Sequence, residues 1–201
     1  GKSTVAFNLA VWLAYDKNGV KAFDLDPQCT LLDVSEVREE DGYEPTFQVS
    51  TDLDTLEALA NDKKNKMPII VDMSASNMPA MEKAISLADR VLIPVQPSQA
   101  DIWSTQRFLR FVESLVGDRD TEVLGFINRA DTHRAIRESD EAAAALVSLP
   151  GIRYLKPRLS QRTVYRRSFS EGLAVFEQEP RGKGAAEWNA LAAVLYPDLL
   201  R

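Results

Sequence analysis

Five residues in one order could handle a phosphorylated ligand. The chain opens Gly1-Lys2-Ser3-Thr4, which matches the end of the phosphate-binding loop G-x-x-x-x-G-K-[ST]. A lysine there offers a point charge to β- and γ-phosphates, and the Ser3 hydroxyl can ligate Mg²⁺. Val5, Ala6, Leu9, Ala10 and Leu13 recur at helical spacing just after it. The loop would therefore feed a helix whose unpaired N–H groups favour an anion. Further on, Asp24-Leu25-Asp26-Pro27-Gln28 places two carboxylates two residues apart. On an extended chain both point to the same side. One can face a metal shell while the other orients a water in line with the γ-phosphate. Asp72 closes the apolar run Ile69-Ile70-Val71, which is the pattern of a carboxylate held near the metal, usually through water. Lys2, Asp26 and Asp24 are the catalytic candidates; Ser3, Asp72 and Asp24 are the metal candidates.

These residues need strands to end beside one another. Apolar runs predict strands over 20–25, 67–72, 90–95 and 122–128, with a weaker one over 152–155. Helical patterns cover 53–61, 79–88, 102–116, 134–148, 161–171 and 185–195. The charged stretch 35–45 reads as a mobile excursion. No repeat, linker or composition break divides the chain, so 1–201 is expected to be one domain. Alternating strands and helices predict a mostly parallel sheet covered on both faces. Such sheets bind ligands at the carboxyl ends of their strands. The strand that feeds a phosphate loop is normally central and buried on both faces. A further strand and the start of the loop are therefore expected ahead of Gly1.

Composition narrows the function classes. Of the 201 residues, 45% are hydrophobic, enough for a core and too many for a disordered chain. No apolar run approaches the length of a membrane span. The single cysteine, Cys29, excludes an internal disulfide framework and fits a reducing, cytoplasmic compartment. The net charge of −6 argues against a protein that coats nucleic acid all over. Residues 153–183, however, carry eight Lys or Arg against three Glu. A basic section on an acidic body suits a localised polyanion contact, and a solvated helix face explains it equally well. The lone histidine, His133, reads as a surface or capping residue. Cys29 reads as a small buried residue, and Trp12, Trp103 and Trp188 as packing residues.

Taken together, G-K-S-T, D-L-D-P-Q, I-I-V-D and Val91-Leu92-Ile93-Pro94-Val95-Gln96-Pro97-Ser98 resemble the ParA/MinD group of deviant Walker P-loop ATPases. Gln161-Arg162-Thr163-Val164-Tyr165, Ser168, Gly172 and Val175-Phe176-Glu177 are similar to the small, ParF-like plasmid-partition members. The resemblance covers essentially the whole chain. It implies that Asp26 positions the attacking water and that Asp24 is its partner carboxylate near Mg²⁺. It implies a nucleotide held by Gly1, Lys2, Ser3 and Thr4, with Asn128, Arg129 and the loop at Pro157 around the adenine. The family's signature lysine would lie ahead of Gly1. Met73-Ser74-Ala75-Ser76-Asn77 departs from the Gly or Pro that relatives often carry in the second switch.

The resemblance further implies ATP/ADP and Mg²⁺ as cofactors, weak hydrolysis stimulated by a partner, and an ATP-dependent homodimer that can extend to polymers. The expected partners are non-specific DNA and a ParB/ParG-type centromere-binding protein. The expected location is nucleoid-associated and cytoplasmic, with no membrane contact. Arg158, Arg162, Arg166 and Arg167 are the candidates for the DNA face, the middle two sharing a helix side. The function expected first is segregation of plasmid or chromosomal DNA. Positioning of a protein cargo (a chemoreceptor cluster, a carboxysome, the division machinery) remains an alternative, as does a non-hydrolysing ATP switch. An iron–sulfur electron-transfer relative would need two cysteines per subunit.

Overall fold

Strand and helix alternate along the chain, as the apolar runs require. The computed structural model describes residues 1–133 and 137–199. Helix α1 (Lys2–Ala14) leads to β1 (Lys21–Asp24), α2 (Thr30–Glu40), β2 (Gln48–Ser50), α3 (Leu53–Asn61) and β3 (Ile69–Asp72). The second half runs α4 (Met78–Leu87), β4 (Arg90–Val95), α5 (Gln99–Val116), β5 (Glu122–Ala130), α6 (Glu138–Ser148), β6 (Arg153–Tyr154) and β7 (Leu159–Ser160). Helices α7 (Thr163–Ser170), α8 (Val175–Gln178) and α9 (Lys183–Leu195) close the fold. The start of the expected helix over 134–148 lies outside the described residues; the rest is α6.

Every described strand pair is parallel. The strands form two groups, β2-β1-β3 and β4-β5-β6, with β7 also on β5. One edge of β3 and one edge of β4 thus carry no ladder. Two helix layers nevertheless run across this division. On one face Val5, Leu9 and Leu13 of α1 pack with Ile70 of β3 and Leu92 of β4. On the other, Met81 and Ile85 of α4 and Val112 of α5 pack with Met73 and Val91. Ile69, Ile70 and Val71 were expected to be buried on both faces and are only half-buried. Their free edge is the reason: no described strand pairs with it.

Two expectations are corrected. Helix α1 does not present one apolar face. Every residue from Val5 to Leu13 is buried, because the helix lies between the sheet, α2 and the C-terminal helices. The second correction concerns the stretch 35–45, which is not a mobile excursion. Most of it belongs to α2, whose Leu31, Val34 and Arg38 are buried. The Arg38 guanidinium is 1% exposed and donates to both oxygens of Glu177 at 2.8 Å, to the Gly172 carbonyl at 3.0 Å and to the Pro45 carbonyl at 2.9 Å. Gly172 sits at φ +68°, and a Cβ there would lie 2.8 Å from the Arg38 backbone nitrogen. Only glycine allows this approach. Trp12 and Trp188 are core residues as expected, whereas Trp103 is 55% exposed.

Candidate functional site

The carboxyl ends of β1 and β3 meet the start of α1. Asp24 and Asp72 are direct partners in the parallel register, and the Leu25 N–H donates to the Asp72 carbonyl at 2.9 Å. The Ser3 hydroxyl lies beside the Asp72 carboxylate and favours its charged form. Asp72 is 3% exposed. Burial, reinforced by the nearby Asp24 and Asp26 charges and opposed by Ser3 and Lys2, pushes its carboxyl up to about 6. Its Oδ2 is buried and has no hydrogen-bond partner among the described residues. A buried carboxylate oxygen without a donor is costly; a hard cation beside the Ser3 hydroxyl would satisfy it. Ser3 and Asp72 therefore fit Mg²⁺, which takes few protein oxygens and keeps phosphate and water ligands. When bound, the ion would neutralise phosphate charge.

Asp24 and Asp26 have different tasks. Asp24 is 1% exposed. Its Oδ2 accepts the N–H groups of Leu31 at 2.8 Å and Leu32 at 3.0 Å, and its Oδ1 accepts the Asp26 N–H at 3.1 Å. It thus anchors the first turn of α2 and stabilises that helix end as a negative charge should. Asp26 is half-buried and accepts the Gln28 N–H at 2.9 Å through Oδ1 only. That leaves Oδ2 for a water. Between them and the helix stands Cys29, at φ +51°, an unusual conformation for a side chain with a Cβ. Cys29 is partly exposed, not buried as expected.

Next to α1 lies a cavity of about 470 Å³. Gly1, Thr4 and Asn8 line one side, Asn128 and Arg129 a second, and residues 159–163 with Tyr165, Arg166 and Trp188 the rest. Asn128 and Arg129 thus share the cavity with Gly1 and Thr4. Arg129 holds φ +54° at the irregularity where β7 joins β5. Pro157 does not border this cavity; β7 and the segment that follows do. Sequence reading missed Ser160 and Glu187. Glu187 accepts the Ser160 N–H at 3.0 Å and its hydroxyl at 2.8 Å, and pairs with Arg162 at 2.7 Å, so it fixes the cavity wall to α9. A two-residue strand gives no periodic signal. The phenol of Tyr165 donates to the Gly184 carbonyl at 3.0 Å, and burial with the Glu187 charge raises its pKa strongly.

Of the four arginines expected on a DNA face, three are ion-paired. Arg158 pairs with Asp140, Arg162 with Glu187 and Arg167 with Glu179, each at 2.7 Å. Arg162 and Arg166 both border the cavity. Arg162 is half-buried and Arg166 exposed, since Val164 and Ser168 take the buried side of α7. His133 is exposed, and its backbone N–H donates to Asp131 at 2.8 Å, a surface role.

Comparison with known proteins agrees with this geometry. The "Maintenance of carboxysome distribution protein A" of Halothiobacillus neapolitanus is 26% identical over 93% of this chain and 86% of its own length. The protein ParA of Rhizobium radiobacter is 25% identical over 86% of this chain and 78% of its own. An ATP complex of a McdA variant from Cyanothece superposes with a TM-score of 0.75 at 18% identity, covering 99% of this chain and 91% of that one. No helix among the described residues is long and apolar enough to cross a membrane. The profile of the CobQ/CobB/MinD/ParA nucleotide-binding domain matches residues 1–175, and the chain belongs to that family, with its parallel α/β P-loop fold.

Proposed function

We propose that the chain hydrolyses ATP with Mg²⁺ to drive cycles of dimerisation and DNA release that position a cargo. One observation carries the reading: Lys2, the Ser3 hydroxyl and the half-free Asp26 gather around Asp72, whose Oδ2 has no partner among the described residues, and Gly1, next to Lys2, borders a cavity large enough for a nucleoside. Lys2 would take phosphate charge, Ser3 and Asp72 the metal, and Asp26 the attacking water. Such a site needs mostly positioning and charge stabilisation, so a partner that supplies order or a cation can raise a slow rate by about 10³–10⁵. Turnover measured with and without DNA tests it. Asp26→Ala is expected to lose hydrolysis while still binding ATP; appreciable turnover in that variant overturns the role of Asp26.

Within this reading the basic section 153–183 contacts DNA without sequence preference, on the nucleoid. Here the contact is assigned to the exposed Lys156, Arg167, Arg181 and Lys183 in place of the full four-arginine set. Reversing Lys156 and Arg167 to Glu is expected to flatten the salt dependence of DNA binding, by about one unit of slope for each DNA phosphate that the protein ceases to neutralise. A centromere-binding partner and a plasmid or chromosomal cargo suit the ParA relative. The carboxysome-distribution relative, alike over more of the chain, favours a protein cargo equally. Pull-down of the partner from the native host separates the two.

We also propose that residues 1–201 form one ATPase unit whose sheet is completed by one more parallel strand between β3 and β4. The two ladder-free edges and the helix layers that already span them support it.

A further inference from the structure

We infer that Arg166 is a nucleotide-contacting residue, closing the cavity over the nucleoside half of the ligand. The inference rests on the nucleotide reading above and assigns a residue to it. The cavity wall contains Arg129, Arg162 and Arg166 and no carboxylate. Their situations differ. Arg162 is spent on Glu187. Arg166 is exposed and makes no ion pair among the described residues, while its neighbours Arg158, Arg162 and Arg167 each have one. An unpaired guanidinium on the wall of a cavity without acids is a ready partner for an anion or an aromatic face.

Its position is fixed from behind. Helix α7 is held by the buried Val164 and Ser168 and by the Tyr165 phenol on the Gly184 carbonyl. Gly184 lies so close that a Cβ would stand 2.9 Å from side-chain carbons of Val164 and Val175. The helix therefore has little freedom to rotate Arg166 away. A second group waits in the same cavity. Trp188 is fully buried and borders it, and its indole N–H has no acceptor among the described residues. An unpaired buried donor on the wall suits a ligand that carries acceptors, as a purine nucleoside does. Phosphates bind at the other end, at Lys2 and the α1 N-terminus, so Arg166 meets the base and ribose.

Isothermal titration of the full chain with ADP, and separately with pyrophosphate, tests the assignment. Arg166→Ala is expected to weaken ADP about tenfold, the range of a desolvated cation–aromatic contact, and to leave pyrophosphate unchanged. Arg166→Lys should recover part of the loss, and Arg110→Ala, an exposed arginine of α5, should bind ADP as the unaltered protein does. Equal ADP affinity in Arg166→Ala and the unaltered protein overturns the assignment. Equal weakening of ADP and pyrophosphate also overturns it, since the residue would then act through structure or phosphate. Failure of the unaltered protein to bind ADP at all would instead sink the nucleotide reading. DNA affinity unchanged in Arg166→Ala separates this role from a DNA contact, and a matching loss of DNA affinity without loss of ADP affinity refutes it.

Discussion

At the scale of single residues, Asp72 concentrates the chemistry. Its carboxyl is raised from 3.8 to about 6 by burial. A raised carboxyl means that the folded state binds the proton more tightly than the unfolded state. Stability of the metal-free protein should therefore fall as pH rises from about 4 to about 6, and level off above. Urea unfolding followed across that range checks the sign, and Asp72→Asn should remove the slope. Mg²⁺ with nucleotide should stabilise the unaltered protein more at pH 7.5 than at pH 5, because the cation needs the carboxylate form. Asp72, Asp26 and the Lys2-Ser3 pair were legible in the sequence because strand-terminal acids and a Gly-Lys-Ser turn carry their chemistry in order and spacing. The anchoring task of Asp24 was not. It depends on where α2 begins, and the backbone donors of Leu31 and Leu32, seven and eight residues on, cannot be read from the local pattern.

At the scale of elements, α2 marks the limit of sequence reading. Its core-facing stripe is Leu31, Val34 and Arg38, and an arginine at a core position breaks the apolar pattern that signals burial. The long strands declared themselves by continuous apolar runs. β2 and β7, of three and two residues, are too short for any period. The Arg38–Glu177 pair joins α2, next to the Asp26 loop, to the segment that carries α8. Glu177 also accepts the Ala174 N–H at 2.8 Å, and the neighbouring Val175 N–H donates to Asn8 of α1 at 2.8 Å. Removing one partner leaves a buried charge uncompensated. Arg38→Ala is therefore expected to destabilise the protein by about 3–5 kcal/mol, measured by chemical denaturation. Arg38→Met paired with Glu177→Leu should cost much less. Gly172→Ala should be destabilising on its own, through φ and the close Arg38 backbone.

At the scale of the molecule, the order of strands decides what the fold needs. Parallel α/β architecture was evident from the alternation of runs, and the register of β1 with β3 places Asp24 opposite Asp72 as that architecture demands. The division of the sheet could not be seen in any one run, because it concerns which strands fail to touch. If one more strand completes the sheet, a chain to which such a strand is joined should unfold at markedly higher denaturant and with a steeper transition than residues 1–201 alone. A steeper transition reports the extra surface exposed on unfolding. Identical midpoints and slopes would count against the completed sheet.

The two bare edges have a consequence for handling the protein. Parallel rows of unsatisfied N–H and C=O groups, backed by half-buried Ile69, Ile70, Val91 and Leu92, are templates for any extended apolar segment that arrives. Molecules of residues 1–201 should recruit strands from one another, so that solutions cloud or form exchanged multimers as concentration rises. A short β-branched peptide added in excess should suppress that clouding by occupying the vacancy first.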